Sequence, residues 1–253
     1  MFAEERKIKI IEILKEKKKI TVPELSECFK VSRSTIRGDL NELENSNLVV
    51  RTHGGAILKN KTSFELNSKQ KETSNQEAKI VIAHLALKYI EESDTIILDS
   101  GTTTLELAKL LYQFKNITVV TNDIKIASIL DDYENIKVIL LGGIVRQGFN
   151  CTIGNSSYEL LKRLKVDKAF MCCNSFSVDR GASTPDLQHA EVKMEMISSS
   201  LKTILLVDSS KFEKNSFVQF ATLDRIDVII TEAISQADKM LLEQSEVGLI
   251  YNI

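Results

Sequence analysis

The feature that most constrains this chain is a change of rhythm near residue 75. From there on, apolar runs rich in β-branched residues recur at 95–98, 117–120, 137–141, 168–172, 203–207 and 228–230. Helical patterns lie around and between them, at about 75–92, 103–114, 123–132, 155–165, 187–200 and 235–244. Strands that are apolar along their whole length have both faces buried, and strands alternating with helices make a parallel sheet. Residues 75–253 therefore read as a Rossmann-like α/β domain. In such sheets ligands bind outside the carboxyl ends of the strands.

Before residue 75 the period is that of helices. Residues 5–17 carry an apolar stripe of Ile8, Ile11 and Leu14, with Ile10 and Ile13 beside it, and the basic run 15–19 closes that helix where its dipole favours cations. Thr21-Val22-Pro23-Glu24 has the form of a capping box with Pro in the first turn. Val22, Leu25 and Phe29 face inward from the second helix. Ser32 caps a third, 32–45, whose buried stripe is Ile36, Leu40 and Leu43 and whose outer face holds Arg33, Arg37 and Asn41. Two short β-prone runs, 48–51 and 56–58, flank His53-Gly54-Gly55, a tight-turn signal. Three helices and a hairpin make a winged helix-turn-helix over 1–58. Residues 59–74 lack a period and read as a linker.

Composition excludes several classes. The chain is 43% hydrophobic and 27% charged, as soluble globular proteins are. It has no apolar run long enough to span a bilayer, and its first residues, Met1 to Lys7, lack the apolar core of a signal peptide. Cys28, Cys151, Cys172 and Cys173 have no paired spacing, and His53, His84 and His189 are scattered. No disulfide framework, metal site or membrane contact is expected, and the expected location is cytoplasmic. The net charge of -2 says little as a total. Residues 1–60, however, hold 12 Lys+Arg against 9 Asp+Glu, while the remainder is acidic. A basic head on an acidic body points toward nucleic acid at one end.

The helix pair at 21–44 fits both a plain helical hairpin and a DNA reader. The break between the helices is short, and the start of the second presents Ser32, Arg33, Ser34, Thr35 and Arg37, all suited to phosphates or base edges. Arg51 and His53 follow in the hairpin. In helix-turn-helix proteins the second helix enters the major groove, and Arg and Lys on phosphates supply much of the affinity.

In the larger domain, Asp99-Ser100-Gly101-Thr102-Thr103-Thr104 joins an expected strand to an expected helix. Unpaired N–H groups at a helix start, with a glycine for close approach, make a phosphate cradle. The plainer reading is an ordinary Ser/Thr cap. Neither a Walker ending nor Gly-x-Gly-x-x-Gly is present, so no nucleotide cofactor is expected. Small or polar residues stand at other strand ends too: Asn122, Gly142 and Gly143, Asn174, and Asp208 to Lys211. One shared pocket accounts for them better than unrelated turns. Arg146, Lys193 and Lys211 fit a phosphate partner or a solvated surface equally.

These motifs resemble those of the DeoR family of bacterial transcriptional regulators. The head matches in Val-Ser-Arg-Ser-Thr-Ile-Arg-Gly-Asp-Leu (31–40) and Arg-Thr-His-Gly-Gly-Ala (51–56). The body matches in Asp-Ser-Gly-Thr-Thr-Thr (99–104), Thr-Val-Val-Thr-Asn (118–122), Asp-Lys-Ala-Phe (167–170), Ala-Glu-Val-Lys (190–193) and Val-Asp-Ser-Ser-Lys-Phe (207–212). The resemblance implies a repressor that binds a double-stranded DNA operator, with a sensor similar to sugar-phosphate isomerases of the ribose-5-phosphate isomerase and CoA-transferase type. It implies a phosphorylated sugar as effector, phosphate on the Gly-Thr-Thr loop, and Asn122, Asn174 and Lys211 near the sugar. It also implies a homodimer or homotetramer.

Two departures stand out. The family usually carries a second Arg where this chain has Gly38, which removes a phosphate contact. After Asp-Lys-Ala-Phe it usually reads Gly-Ala-Asp-Gly, where this chain has Cys172-Cys173-Asn174-Ser175; the two replaced glycines are expected to narrow the pocket. The rival reading is an isomerase with a DNA-binding head. It needs a general base, and only Asp99 stands in the loop, since Asn174 cannot act as one. No catalytic residue is therefore expected.

Overall fold

In the computed structural model, which describes residues 2–17, 19–46, 48–58, 62–63 and 65–251, Thr21 and Ser32 each open a helix. The chain divides into two units, Met1–Phe64 and Glu65–Ile253. The first runs α1 (Ala3–Lys17), β1 (Lys19–Thr21), α2 (Val22–Phe29), α3 (Arg33–Asn45), β2 (Val49–Thr52) and β3 (Gly55–Leu58). The capping box at α2 is complete: Glu24 Oε2 accepts from the Thr21 N–H at 2.7 Å and Thr21 Oγ1 from the Glu24 N–H at 3.4 Å. Lys30, in the left-handed region at φ 53°, ends α2. Ser32 Oγ accepts from the Thr35 N–H at 3.1 Å and starts α3. Ile10, Ile11, Leu14, Leu25, Ile36, Leu40 and Leu43 are buried, each such side chain contributing about 1.5–3 kcal/mol of burial free energy.

One strand is additional to the sequence reading. Lys19–Thr21 pairs antiparallel with β3, giving the order β1-β3-β2. Ile20 is buried between two exposed neighbours, so an extended strand serves it better than a continued helix. Lys19 thus lies in a strand and not at a helix end, and residue 18 of the basic run is outside the described residues. The β2–β3 turn uses Gly54 at φ +90°. Gly55 has a different role, since a Cβ there would stand 2.2 Å from the Ile20 carbonyl oxygen. Close approach of β1 therefore requires a glycine.

The second unit contains α4 (Ser68–Thr73), α5 (Gln76–Leu87), β4 (Thr95–Leu98), α6 (Thr102–Lys109), β5 (Ile117–Thr121), α7 (Ile124–Asp131), β6 (Ile136–Leu140), β7 (Ile144–Arg146) and β8 (Cys151–Ile153). It continues with α8 (Asn155–Leu161), β9 (Val166–Cys172), β10 (Ser175–Ser177), β11 (Gly181–Thr184), α9 (Leu187–Ser198) and β12 (Ser200–Leu206). It ends with β13 (Val218–Ala221), β14 (Val228–Thr231), α10 (Gln236–Glu243) and β15 (Gly248–Tyr251). Seven strands form one parallel sheet in the order β15-β14-β12-β9-β4-β5-β6. Its two faces carry separate apolar layers. Ile96, Leu98 and Phe170 belong to one, Ile97, Ala169 and Met171 to the other, as the period of two demands.

All six expected strands and all six expected helices of this unit are present. The sequence reading does not contain the β7–β8 hairpin, the antiparallel β10-β11-β13 sheet or edge strand β15. These elements are three or four residues long, too short for an apolar run to stand out from its surroundings. The expected linker also needs correction. Residues 65–74 lie in the second unit and include α4, opened by an Asn67–Gln70 capping box. Residues 59–61 and 64 of that segment lie outside the described residues.

Candidate functional site

β4 is the first strand of the large sheet and lies near its centre. The chain then builds β5 and β6 on one side and β9, β12, β14 and β15 on the other. The connections after β4 and β9 diverge, which opens a crevice at their carboxyl ends. A pocket lies there, walled by the 100–103 loop, Cys172 to Asn174 after β9, and Val207, Asp208 and Lys211 after β12.

The loop after β4 is braced from below. Asp99 is fully buried; its Oδ2 accepts from the Cys172 N–H at 2.9 Å and from the Lys193 ammonium. Its Oδ1 is buried with no partner among the described residues. Asn122 Oδ1 accepts from the Ser100 N–H at 3.1 Å, and its amide donates to the Thr152 carbonyl at 3.0 Å. Thr104 Oγ1 donates to the Asp99 carbonyl at 2.6 Å. A Cβ on Gly101 would lie 2.8 Å from Cys172 Sγ, so only glycine fits between the loop and β9. Gly101 caps α6 with no side-chain acceptor for the first-turn N–H groups. This leaves donors and a positive dipole end facing the pocket.

Lysines dominate the remaining wall: Lys71, Lys79, Lys193 and Lys211, against Glu65 and Asp208. Lys193 also donates to the Cys172 carbonyl at 3.1 Å. Lys79 donates to the Lys71 and Ser74 carbonyls, and burial lowers its pKa to about 8. Lys211 makes no side-chain hydrogen bond or ion pair among the described residues. The Glu65 carboxylate takes Lys71 at 2.5 Å, Arg146 at 2.7 Å and the Asn174 amide at 2.8 Å. Burial pushes this carboxyl up, but Lys71 and Arg146 more than reverse that, to about 2. His189 Nε2 lies 3.0 Å from Ser100 Oγ; burial first, and Lys193 second, hold the ring neutral.

Of the residues expected around an effector, the pocket brings together Ser100, Gly101, Thr102, Thr103, Asn174, Lys193 and Lys211. Asp99, Thr104 and Asn122 stand behind that wall as supports. Gly142 and Gly143 are elsewhere: a Cβ on Gly143 would meet the Ile153 carbonyl at 2.4 Å, and the Gly142 carbonyl accepts from Ser157 Oγ. Arg146 is one step back, holding Glu65, 3.6 Å from Asp186, and stacked 3.7 Å from the Phe149 ring centroid. Lys193 is 1% exposed, which removes the reading of a solvated surface lysine. The sequence reading omits Glu65, Lys71, Lys79 and His189, while Asp208 stands among its strand-end residues. The first two sit in the expected linker, where the Asn67-x-x-Gln70 capping signature was the available signal. Burial raises the pKa values of Cys172 and Cys173, which keeps both as thiols. Asp99, tied to Lys193 and closed off, is not placed as a general base.

In the first unit, Arg33, Ser34, Thr35, Arg37 and His53 are exposed. Ser32 is exposed as well, but its hydroxyl is engaged with Thr35 and, at 2.7 Å, with Ser34. The Arg51 guanidinium donates to Asn41 Oδ1, and the Arg51 backbone N–H donates to Glu44 Oε1 at 3.0 Å. Strand β2 is thereby tied to α3. A Cβ on Gly38 would meet nothing within 4 Å.

Residues 6–62 match the DeoR-like helix-turn-helix domain, and residues 74–233 match the DeoR C terminal sensor domain. The uncharacterized HTH-type transcriptional regulator YulB of Bacillus subtilis is 37% identical across 98% of this chain and 96% of its own length. The HTH-type transcriptional regulator GlpR of Haloferax volcanii is 35% identical across 94% and 93%. The HTH-type transcriptional repressor GlcR of Bacillus subtilis is 36% identical across 99% and 96%. Among solved structures, ribose 5-phosphate isomerase A from Methanocaldococcus jannaschii overlaps 55% of each chain with a TM-score of 0.41 and 18% identity. No described helix is long and apolar enough to cross a membrane.

Proposed function

We propose, for a chain that belongs to the DeoR family of transcriptional regulators, that it represses a sugar-metabolism operon and that a phosphorylated sugar in the switch-point pocket sets its DNA affinity. The family is one of DNA-binding regulators and not of enzymes. The observation that carries the effector reading is the convergence of Lys71, Lys79, Lys193 and Lys211 on the open first turn of α6. Cations together with unpaired N–H groups suit a phosphate. The Thr102 and Thr103 hydroxyls suit sugar hydroxyls.

On the DNA side, α3 lies in the major groove, with Arg33, Ser34, Thr35 and Arg37 toward base edges and phosphates, supported by Ser32. Arg51 and His53 in the wing reach the backbone. Two half-sites need two heads, so the working unit is at least a homodimer. Effector and operator then alter each other's affinity by the same factor.

The test is fluorescence anisotropy on the promoter next to the gene, with and without a panel of aldose and ketose phosphates. At least one compound is expected to shift operator affinity about fivefold or more, the ordinary size of allosteric coupling. Lys211→Ala is expected to abolish that shift while operator binding persists. If no panel member changes operator affinity or melting temperature, the effector reading fails.

A further inference from the structure

We propose that the Glu65 carboxylate is a tethered occupant of the anion site, and that an incoming phosphoryl group displaces it from Lys71, Arg146 and Asn174. This rests on the pocket reading above and specifies how the pocket is regulated. Glu65 is held as a bound anion would be held. It has two cations and an amide around it, supplied by α4, by β7 and by the segment after β9. Its side chain is 5% exposed and forms part of the pocket wall. Nothing in the strand-and-helix framework needs a carboxylate there, since residue 65 lies outside every element.

The donors are not fully used. Glu65 Oε1 takes Lys71 and Asn174, Oε2 takes Arg146 Nη2, and Arg146 Nη1 is left buried without a partner among the described residues. A carboxylate has two oxygens to offer. A phosphoryl group has three and carries more negative charge. It can satisfy the donors that Glu65 satisfies and the one that Glu65 leaves orphaned, so exchange favours the phosphoryl ligand.

Position gives the exchange a consequence. Glu65 is the first residue of the second unit, and α4 begins three positions later. A carboxylate released from the wall frees the chain at the point where it enters this unit. Occupation of the pocket is thereby converted into mobility at the start of this unit. In the absence of ligand the internal anion lowers the apparent affinity by the fraction of time it holds the site.

The experiment uses the full chain in phosphate-free buffer, titrated calorimetrically with inorganic phosphate and then with the sugar-phosphate panel. Glu65→Gln keeps the size of the side chain and removes its charge; Glu72→Gln, on an α4 carboxylate that pairs with Lys125 and is absent from the pocket wall, is the control. Glu65→Gln is expected to bind phosphate about tenfold more tightly than the wild type, the gain from removing a competitor that holds the site nine-tenths of the time. On the wild type, saturating ligand is expected to speed amide hydrogen exchange across residues 65–73. Equal or weaker binding by Glu65→Gln, with the wild type still binding, overturns this proposal and leaves the pocket reading intact. Absence of binding by every form overturns the pocket reading and this proposal with it. Should Glu65→Gln fail to fold, the exchange measurement decides, and slower exchange across 65–73 on ligand binding overturns the displacement.

Discussion

The Arg6 guanidinium and the Asp39 carboxylate form a bidentate pair, 2.5 Å from Nε to Oδ2 and 2.9 Å from Nη2 to Oδ1, buried between α1 and α3. The pair fixes the helix that presents Arg33 and Arg37. Removing one member of a buried ion pair costs about 3–5 kcal/mol. Asp39→Ala is therefore expected to lower the unfolding free energy of the first unit by that amount and to weaken operator binding in parallel. The double variant Arg6→Met/Asp39→Leu is expected to recover most of the stability. Urea titrations of both variants check this; a loss under about 1 kcal/mol for Asp39→Ala would place the pair among ordinary surface bridges.

Gly38 lies on the exposed face of α3 with open space where a side chain would project. Glycine in a helix interior costs about 0.5–1 kcal/mol relative to alanine. Gly38→Arg removes that cost and adds a cation one residue after Arg37. It is expected to tighten binding to any duplex and to steepen the dependence of log K on log salt by about 0.9, the signature of one more phosphate contact. Anisotropy titrations at several salt concentrations on operator and scrambled DNA test it. A gain confined to the operator would assign residue 38 to base reading instead.

Six strands of the large sheet and the helices around and between them were legible because each apolar run is long enough to signal burial on both faces. So were the caps at Thr21 and Ser32, whose partners lie three residues away. The pocket was legible only in part. Loop residues 100–103 and Lys211 follow strand ends and share the logic of open sheets. Glu65, Lys71 and Lys79 come from a segment far from β4 and β9 in sequence, and their roles arise from tertiary packing that carries no local period. Lys193 fitted either a phosphate partner or a solvated surface; its burial against Asp99 leaves only the first. Gly143 read as pocket because it follows a strand; its conformation instead serves the close approach of Ile153.

Burial raises the thiol pKa values of Cys151, to about 11, and of Cys172 and Cys173, while Cys28 is exposed. Thiolates are the reactive species. Thiol titration of the native protein at pH 8 with an aromatic disulfide reagent is therefore expected to show one fast equivalent, assigned to Cys28 by its loss in Cys28→Ser. The other cysteines are expected to react only on unfolding. Fast reaction at Cys172 or Cys173 would instead assign a reactive thiol to the pocket wall.

Asp123 caps α7, its Oδ1 accepting from the Lys125 and Ile126 N–H groups at 2.8 and 3.0 Å. Burial pushes its carboxyl up to about 6; these backbone bonds oppose the shift only in part, and the Asp99 charge adds to it. An unfolded aspartate titrates near about 3.9. Between these values the folded chain binds more protons than the unfolded one, so the contribution of Asp123 to stability falls as pH rises. Below about pH 4 both states are protonated and the cost disappears; above about pH 6 both are ionised and it is constant. Asp123→Asn retains an oxygen for the cap and loses the titration. The stability of the variant minus that of the wild type is therefore expected to rise by about 2 kcal/mol from pH 4 to pH 6 and then to level off. Urea midpoints at four pH values give the curve. A difference that falls over the same range would mean that the cap holds Asp123 as a favoured anion, with hydrogen bonding outweighing burial.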